Sequence, residues 1–229
     1  MRYLGKNTCH MSLENYIIKN LVTLHPDDTI SKAKEKFKNH LFSHLPIVEN
    51  KKLLGSLYRS DLATFEDTSK KINDYNYLYS PYSARESNTW TELLHLYATN
   101  QTNLLPVVSK NKEYLGCFDL NDILKVASET PFLYEEGIVL VLEKEDNSYT
   151  LSEITQIADI NNAKLLGVFI SQLTEKRSQI TIKVKTENIN EIIQSLRRYK
   201  YHVVSSHKED LYINDLKTRS NYLQKYLNV

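Results

Sequence analysis

Residues 44–62 read HLPIVENKKLLGSLYRSDL, and residues 104–124 read LLPVVSKNKEYLGCFDLNDIL. Leu-Pro, then Leu-Gly, then an Asp beside apolar residues recur in the same order, in a chain with five prolines and five glycines in all. In each copy the proline opens a short apolar strand, where its missing N–H costs least. A polar turn, ENKK or SKNKE, leads into a second strand that contains a glycine. Such a glycine marks a bulge or the close approach of another backbone. Ser60 and Asn121 are placed to cap helices whose first turns hold Asp61 and Asp122.

Working outward, residues 28–48 align with 88–108 at an offset of 60, which becomes 61 from Gly55 and Gly116 onward. DTISKAKEKF overlies NTWTELLHLY, with Asp28 and Asn88 as N-caps. Ile30, Ala33 and Phe37, and likewise Trp90, Leu93 and Tyr97, fall on one face at helical spacing. NLVTL and PYSA read as weak leading strands. One copy of strand, helix, strand, strand, helix would leave an apolar sheet face bare, so the two pack as a pseudo-twofold pair. Two copies are too few for a solenoid.

At 229 residues the chain can bury a sizeable core, and its net charge of +1 comes from interleaved acids and bases. That argues against a nucleic-acid or membrane surface built on bulk charge. No apolar run approaches the roughly 20 residues a membrane helix needs. Cys9 and Cys117 have no metal-ligand spacing, which makes a reducing cytoplasm the default. Met11 begins MSLENYII, so residues 1–11 read as an N-terminal extension.

Residues 137–206 change character. GIVLVLEKE is an apolar strand, and TLSE, from Thr150 to Glu153, is a capping box before a helix with Ile154, Ile157 and Ala158 on one face. LLGVFIS is a strand, and in SQITIKVKT Ile180, Ile182 and Val184 alternate with Thr181, Lys183 and Lys185. NINEIIQSLRRY is a second amphipathic helix and HVVSS a last strand. The order β-α-β-β-α-β is the split-βαβ, ferredoxin-like pattern. In residues 207–229, Leu216, Leu223, Tyr226 and Leu227 form a helical stripe, suited to covering an exposed face or a dimer seam.

The pieces SHLPIV…LLGSLYRSDL and NLLPVV…YLGCFDLNDI resemble a tandem CBS-domain pair, a Bateman module, over residues 12–133, with copies at about 12–72 and 73–133. The family pattern is hydrophobic-x-hydrophobic-Pro followed by Gly-h-h-Thr-x-x-Asp, and both copies keep its Pro, Gly and Asp. Residues 137–206 resemble an ACT-like domain, although their loop KEDNSYT lacks the glycine with which ACT domains hold amino acids. The whole is similar to acetoin-utilisation-type CBS proteins. The implied fold is α/β (α+β), a CBS pair followed by a ferredoxin-like βαββαβ domain.

The resemblance implies a ligand site. Asp61 and Asp122 match the aspartates that take both ribose hydroxyls of adenosine-type ligands, a geometry suited to a carboxylate. Each also complements the N-terminal dipole of its helix, and both roles are compatible. The base would lie against the Leu-Pro strands, Leu45–Pro46 and Leu105–Pro106, with His44, Val22 and Thr23 at the rim. Where the family has Thr, this chain has Tyr58, able to stack on a base or to plug the slot, and Asp119, which repels phosphate. Arg59 is a phosphate donor that the second copy, with Leu120, lacks.

No nucleophile elbow, phosphate-binding Gly-rich loop or His-Glu-x-x-His stretch occurs, and His40 and His44 are not on one helix face. The reading is therefore a non-catalytic, cytoplasmic regulatory homodimer without metal or cofactor. It binds an adenine nucleotide between its CBS halves and relays this, by population shift, through the ACT-like domain or a protein partner. The alternative is a ligand-free dimeric scaffold whose clefts are filled by its own side chains. Nucleic acid and membrane are not expected partners.

Overall fold

The computed structural model describes residues 13–145, 148–204, 218–222 and 224. The N-terminal extension and the C-terminal stripe of Leu216, Leu223, Tyr226 and Leu227 lie outside these residues. The chain divides into two compact units, with the boundary between Ser128 and Glu129.

In the first unit each copy builds the same hairpin and helices. The first copy has α1 (Ile30–Lys38), β1 (His44–Glu49), β2 (Lys52–Tyr58) and α2 (Arg59–Ala63). The second has β3 (Ala84–Arg85), α3 (Trp90–Asn100), β4 (Leu104–Val108), β5 (Tyr114–Asp119) and α4 (Leu120–Ser128). Ile30, Ala33 and Phe37 are buried, as are Leu93 and Tyr97, so the helical faces are those the spacing requires. The leading strands are vestigial. PYSA ends in β3, parallel to β4 through Ala84 and Val107, and NLVTL keeps one parallel bridge, Leu24 to Ile47.

Both glycines sit beside a bulge in their own strand, where Leu54 of β2 and Leu115 of β5 are the extra residues opposite Ile47–Val48 and Val107–Val108. Both also face a crossing backbone. Ile18, in the leading segment of the first copy, bridges Cys117 in the second; Ser80, in the leading segment of the second copy, bridges Ser56 in the first. A Cβ on Gly116 would stand 2.5 Å from the Ile18 carbonyl oxygen, and one on Gly55 would stand 2.9 Å from Tyr79 Cβ. The copies thus exchange their leading segments. Their cores interlock too, since Leu104 and Cys117 of the second copy belong to the apolar cluster built on Leu45, Ile47 and Leu57 of the first.

The helix starts differ by one residue from those expected. Thr29 and Thr89, not Asp28 and Asn88, are the N-caps; Thr29 Oγ1 accepts from Lys32 N at 3.2 Å, and Thr89 forms a capping box with Glu92. Asp28 is drawn inward, where its carboxylate takes Lys32 and Lys36, each at 2.6 Å. Likewise α2 and α4 begin at Arg59 and Leu120 rather than after Ser60 and Asn121. Their first N–H groups already have acceptors, because Arg59 N donates to Ser43 O at 2.9 Å and Leu120 N to Asn103 O at 3.1 Å.

The second unit contains α5 (Pro131–Tyr134), β6 (Ile138–Glu145), α6 (Leu151–Ile160), β7 (Lys164–Leu173), β8 (Arg177–Lys185), α7 (Ile189–Arg198) and β9 (His202–Val203). The strand order β7-β8-β6-β9, antiparallel throughout, is the ferredoxin-like arrangement. Ile180, Ile182 and Val184 join Ile154, Ile157, Ile192 and Leu196 in one core. Thr150 starts α6 without its capping bond. The expected partner, Glu153, instead accepts from Tyr201 OH at 2.9 Å and Lys144 Nζ at 3.0 Å.

Candidate functional site

The two copies meet at a pair of residues in equivalent positions. Ser43 N donates to Asn103 Oδ1 at 2.8 Å, and Asn103 N donates to Ser43 Oγ at 3.1 Å. These reciprocal bonds lie on the pseudo-twofold axis. Around them the seam is polar on one side and aromatic on the other. His44 Nδ1 meets Ser43 Oγ at 3.0 Å, Ser43 Oγ meets Thr102 Oγ1 at 3.3 Å, and Tyr82 OH donates to Thr102 Oγ1 at 3.1 Å. The His44 ring lies 4.2 Å from that of Tyr58 and 5.4 Å, edge-on, from that of Tyr82. Burial holds the His44 imidazole down at about 4 and pushes the Tyr82 phenol up to about 12.

The other site residues are dispersed about this seam. Leu45, Pro46, Leu105 and Pro106 are buried in the strands, and Val22 packs against the first copy's core. The Thr23 carbonyl accepts from Lys36 Nζ at 2.7 Å. Arg59 is turned onto main-chain carbonyls: Nε donates to Phe42 O at 3.1 Å, Nη2 to Phe37 O at 3.0 Å and also to His40 O, with the guanidinium over the Phe37 ring. Asp119 Oδ1 accepts from Asn121 N at 2.7 Å. Among the described residues no hydrogen bond or ion pair engages the carboxylates of Asp61 and Asp122. His40 stacks on Phe42, and no group of three His, Cys, Asp or Glu among the described residues has the geometry of a metal site.

A cavity of about 700 Å³ opens where the copies adjoin, within the size range of small-molecule sites. Its walls are β2 at Leu53–Gly55, the segment from Pro81 to Ser87, and the end of β4 with the turn after it. Three cations, Arg85, Lys110 and Lys112, face one acid, Glu86, around it. Asp61, Asp122, Tyr58 and Arg59 do not line it. The repeat offset places His25, Asn50 and Lys51 where these cations stand, with Glu49 in place of Ser109, so the symmetry-related position lacks the basic excess. Lys110 and Lys112 were legible only as turn residues, and Ser43 and Asn103 only as residues ahead of a strand. The matched positions of the last two in the repeat were the signal that could have singled them out.

No helix among the described residues is long and apolar enough to cross a membrane. The family model for the CBS domain matches residues 13–67. The chain is 33% identical over 113 residues to inosine-5'-monophosphate dehydrogenase of Methanocaldococcus jannaschii, covering 49% of this chain and 23% of that enzyme. It is 25% identical over 160 residues to the same enzyme of Korarchaeum cryptofilum, covering 70% of this chain and 32% of that one. The chain thus spans 23% to 32% of the length of these relatives. A CBS domain pair/ACT domain protein of Thermotoga maritima superposes with a TM-score of 0.47 at 17% identity, covering 52% of this chain and 98% of that one. Residues 13–67 match the CBS-domain model, and the second copy repeats their hairpin, bulge, glycine and helices about a twofold seam, so the first unit has the fold of a CBS-domain pair.

Proposed function

We propose that the chain is a non-catalytic regulatory module that binds an adenine nucleotide in the cavity between its CBS copies. The observation that carries this reading is the one-sided charge of that cavity, since Arg85, Lys110 and Lys112 suit a phosphate chain. Asp61 and Asp122 lie outside the lining of this cavity, so the phosphate chain rather than the ribose carries the reading. In this reading residues 12–133 form the nucleotide-binding pair and residues 137–206 the ACT-like domain. Binding would act by population shift on the ACT-like unit or a protein partner, in a cytoplasmic homodimer.

Calorimetry of the full chain with AMP, ADP and ATP tests it. Affinity should rise with phosphate number and weaken with salt, and Lys110→Ala with Lys112→Ala should lower it at least tenfold. Absence of heat with all three nucleotides would overturn the reading. A second reading, the self-filled scaffold, is favoured by the His44, Tyr58 and Tyr82 rings, which already occupy the seam. Tyr58→Thr separates the two: Tyr58 does not line the cavity, so binding there should be unchanged, whereas nucleotide binding that appears only in this variant would show that the ring plugs the seam.

A further inference from the structure

The helices of the second unit cover one face of its sheet, and strand alternation sends Thr181 and Lys183 to the other. Both are nevertheless only 8% exposed. For Lys183 the cover is α5. A four-residue helix has no stability of its own, so what holds α5 is what it touches.

Three fixings are visible. Phe132 fills the space a side chain would take at Gly167; a Cβ there would stand 2.4 Å from Phe132 Cδ2. The Phe132 ring also meets Phe169 edge-on at 5.4 Å. Lys183 Nζ donates to the Phe132 carbonyl at 2.8 Å and lies 6.0 Å from the ring centroid, within the range of cation–π attraction. Beyond the helix, Glu135 meets Lys185 at 3.5 Å.

These fixings pull in opposite directions energetically. Docking shelters the Phe132 ring, which favours the closed state. It also buries the ammonium of Lys183, which has no ion pair with a carboxylate among the described residues, and that favours the open state. Val139 and Phe169, on the same face, are already 45% and 48% exposed, so opening bares little further core. A contact balanced in this way opens locally while the helix-covered core stays closed.

We propose that residues 129–137 form a releasable latch. Phe132, seated in the Gly167 notch and held by Lys183, covers the part of the open sheet face around Lys183, and its undocking bares that part without unfolding the unit. In chain order the segment follows directly on the CBS pair and precedes the sheet. The latch does not depend on the nucleotide reading.

Hydrogen exchange on the full chain tests it. The amides of Leu133, Tyr134 and Glu135 are bonded to Thr130 O, Thr130 O and Pro131 O, and so report α5 directly. Phe132→Ala should speed their exchange at least tenfold while core amides such as those of Ile182 and Leu196 change less than threefold. Gly167→Ala, which closes the notch and leaves the ring in place, should give the same selective pattern. Acceleration of α5 and core together, in either variant, would mean that Phe132 is an ordinary core residue and would overturn the latch. So would unchanged α5 exchange in both.

Discussion

His44 stands at the seam with its ring between Tyr58 and Tyr82, and burial holds its folded-state value at about 4. An unfolded histidine titrates near 6.5. Above that pH both states carry a neutral ring. As pH falls from about 6.5 toward 4 the unfolded chain takes up a proton that the folded seam refuses, so stability drops by about 3 kcal/mol over this window. His44→Phe keeps a ring in place and should remove most of that loss. Denaturant titrations of both proteins at pH 7 and pH 4.5 decide it, and equal losses would show that another group is responsible. Asp28 does not confuse the result. Burial opposes its ionisation, but Lys32 and Lys36 outweigh this and bring it to about 2. Its contribution is present above the usual carboxylate value near 3.8 and is lost only as pH falls through about 2.

Among elements, the second strands of the two copies look alike in sequence but are not equally tolerant. Gly116 and Gly55 both have φ values that L side chains rarely adopt, +145° and +153°. At Gly116 the obstacle is a main-chain oxygen at 2.5 Å, whereas at Gly55 the nearest main-chain atom is Ser80 O at 3.2 Å. Gly116→Ala should therefore cost about 3 kcal/mol or more and Gly55→Ala about 1–2 kcal/mol. Trp90, the single tryptophan, lies in α3 and reports urea unfolding of this unit; a larger loss at Gly55 would contradict the geometry. The strands, helices and glycine-facing crossings were legible because apolar spacing and a glycine inside a strand are local signals. The caps were not, since Asp28 and Thr29 are both competent and Lys36 recruits Asp28 from about two turns away. Asp61 and Asp122, read as ribose ligands and helix-dipole partners, fall in the first turns of α2 and α4 as their place in the repeat requires. The fate of Arg59 was not, because the carbonyls of Phe37, His40 and Phe42 that claim it lie 17 to 22 residues back along the chain.

Over the whole molecule, two bodies with separate cores predict two calorimetric transitions. Leu196, fully buried in the second unit, should shift only one of them when changed to alanine, by an amount corresponding to about 2–5 kcal/mol. Leu57→Ala and Leu105→Ala lie in different copies of the first unit, yet should move the other transition together, because Leu104 and Cys117 pack into the first copy's core. Separate melting of the two copies would refute that coupling.

The exchanged leading segments carry a consequence for any attempt to divide the CBS pair. Cut between its copies, each half would hold a donor, the stretch around Ile18 or Ser80, with nothing to receive it. Each would also hold a recipient strand, at Ser56 or Cys117, with nothing to fill it. Donor and recipient within one half do not meet, but those of two identical halves do. Fission of the pair therefore does not yield two small independent folds. It yields halves that must find a copy of themselves, trading the covalent tie between unlike repeats for reciprocal lending between like ones.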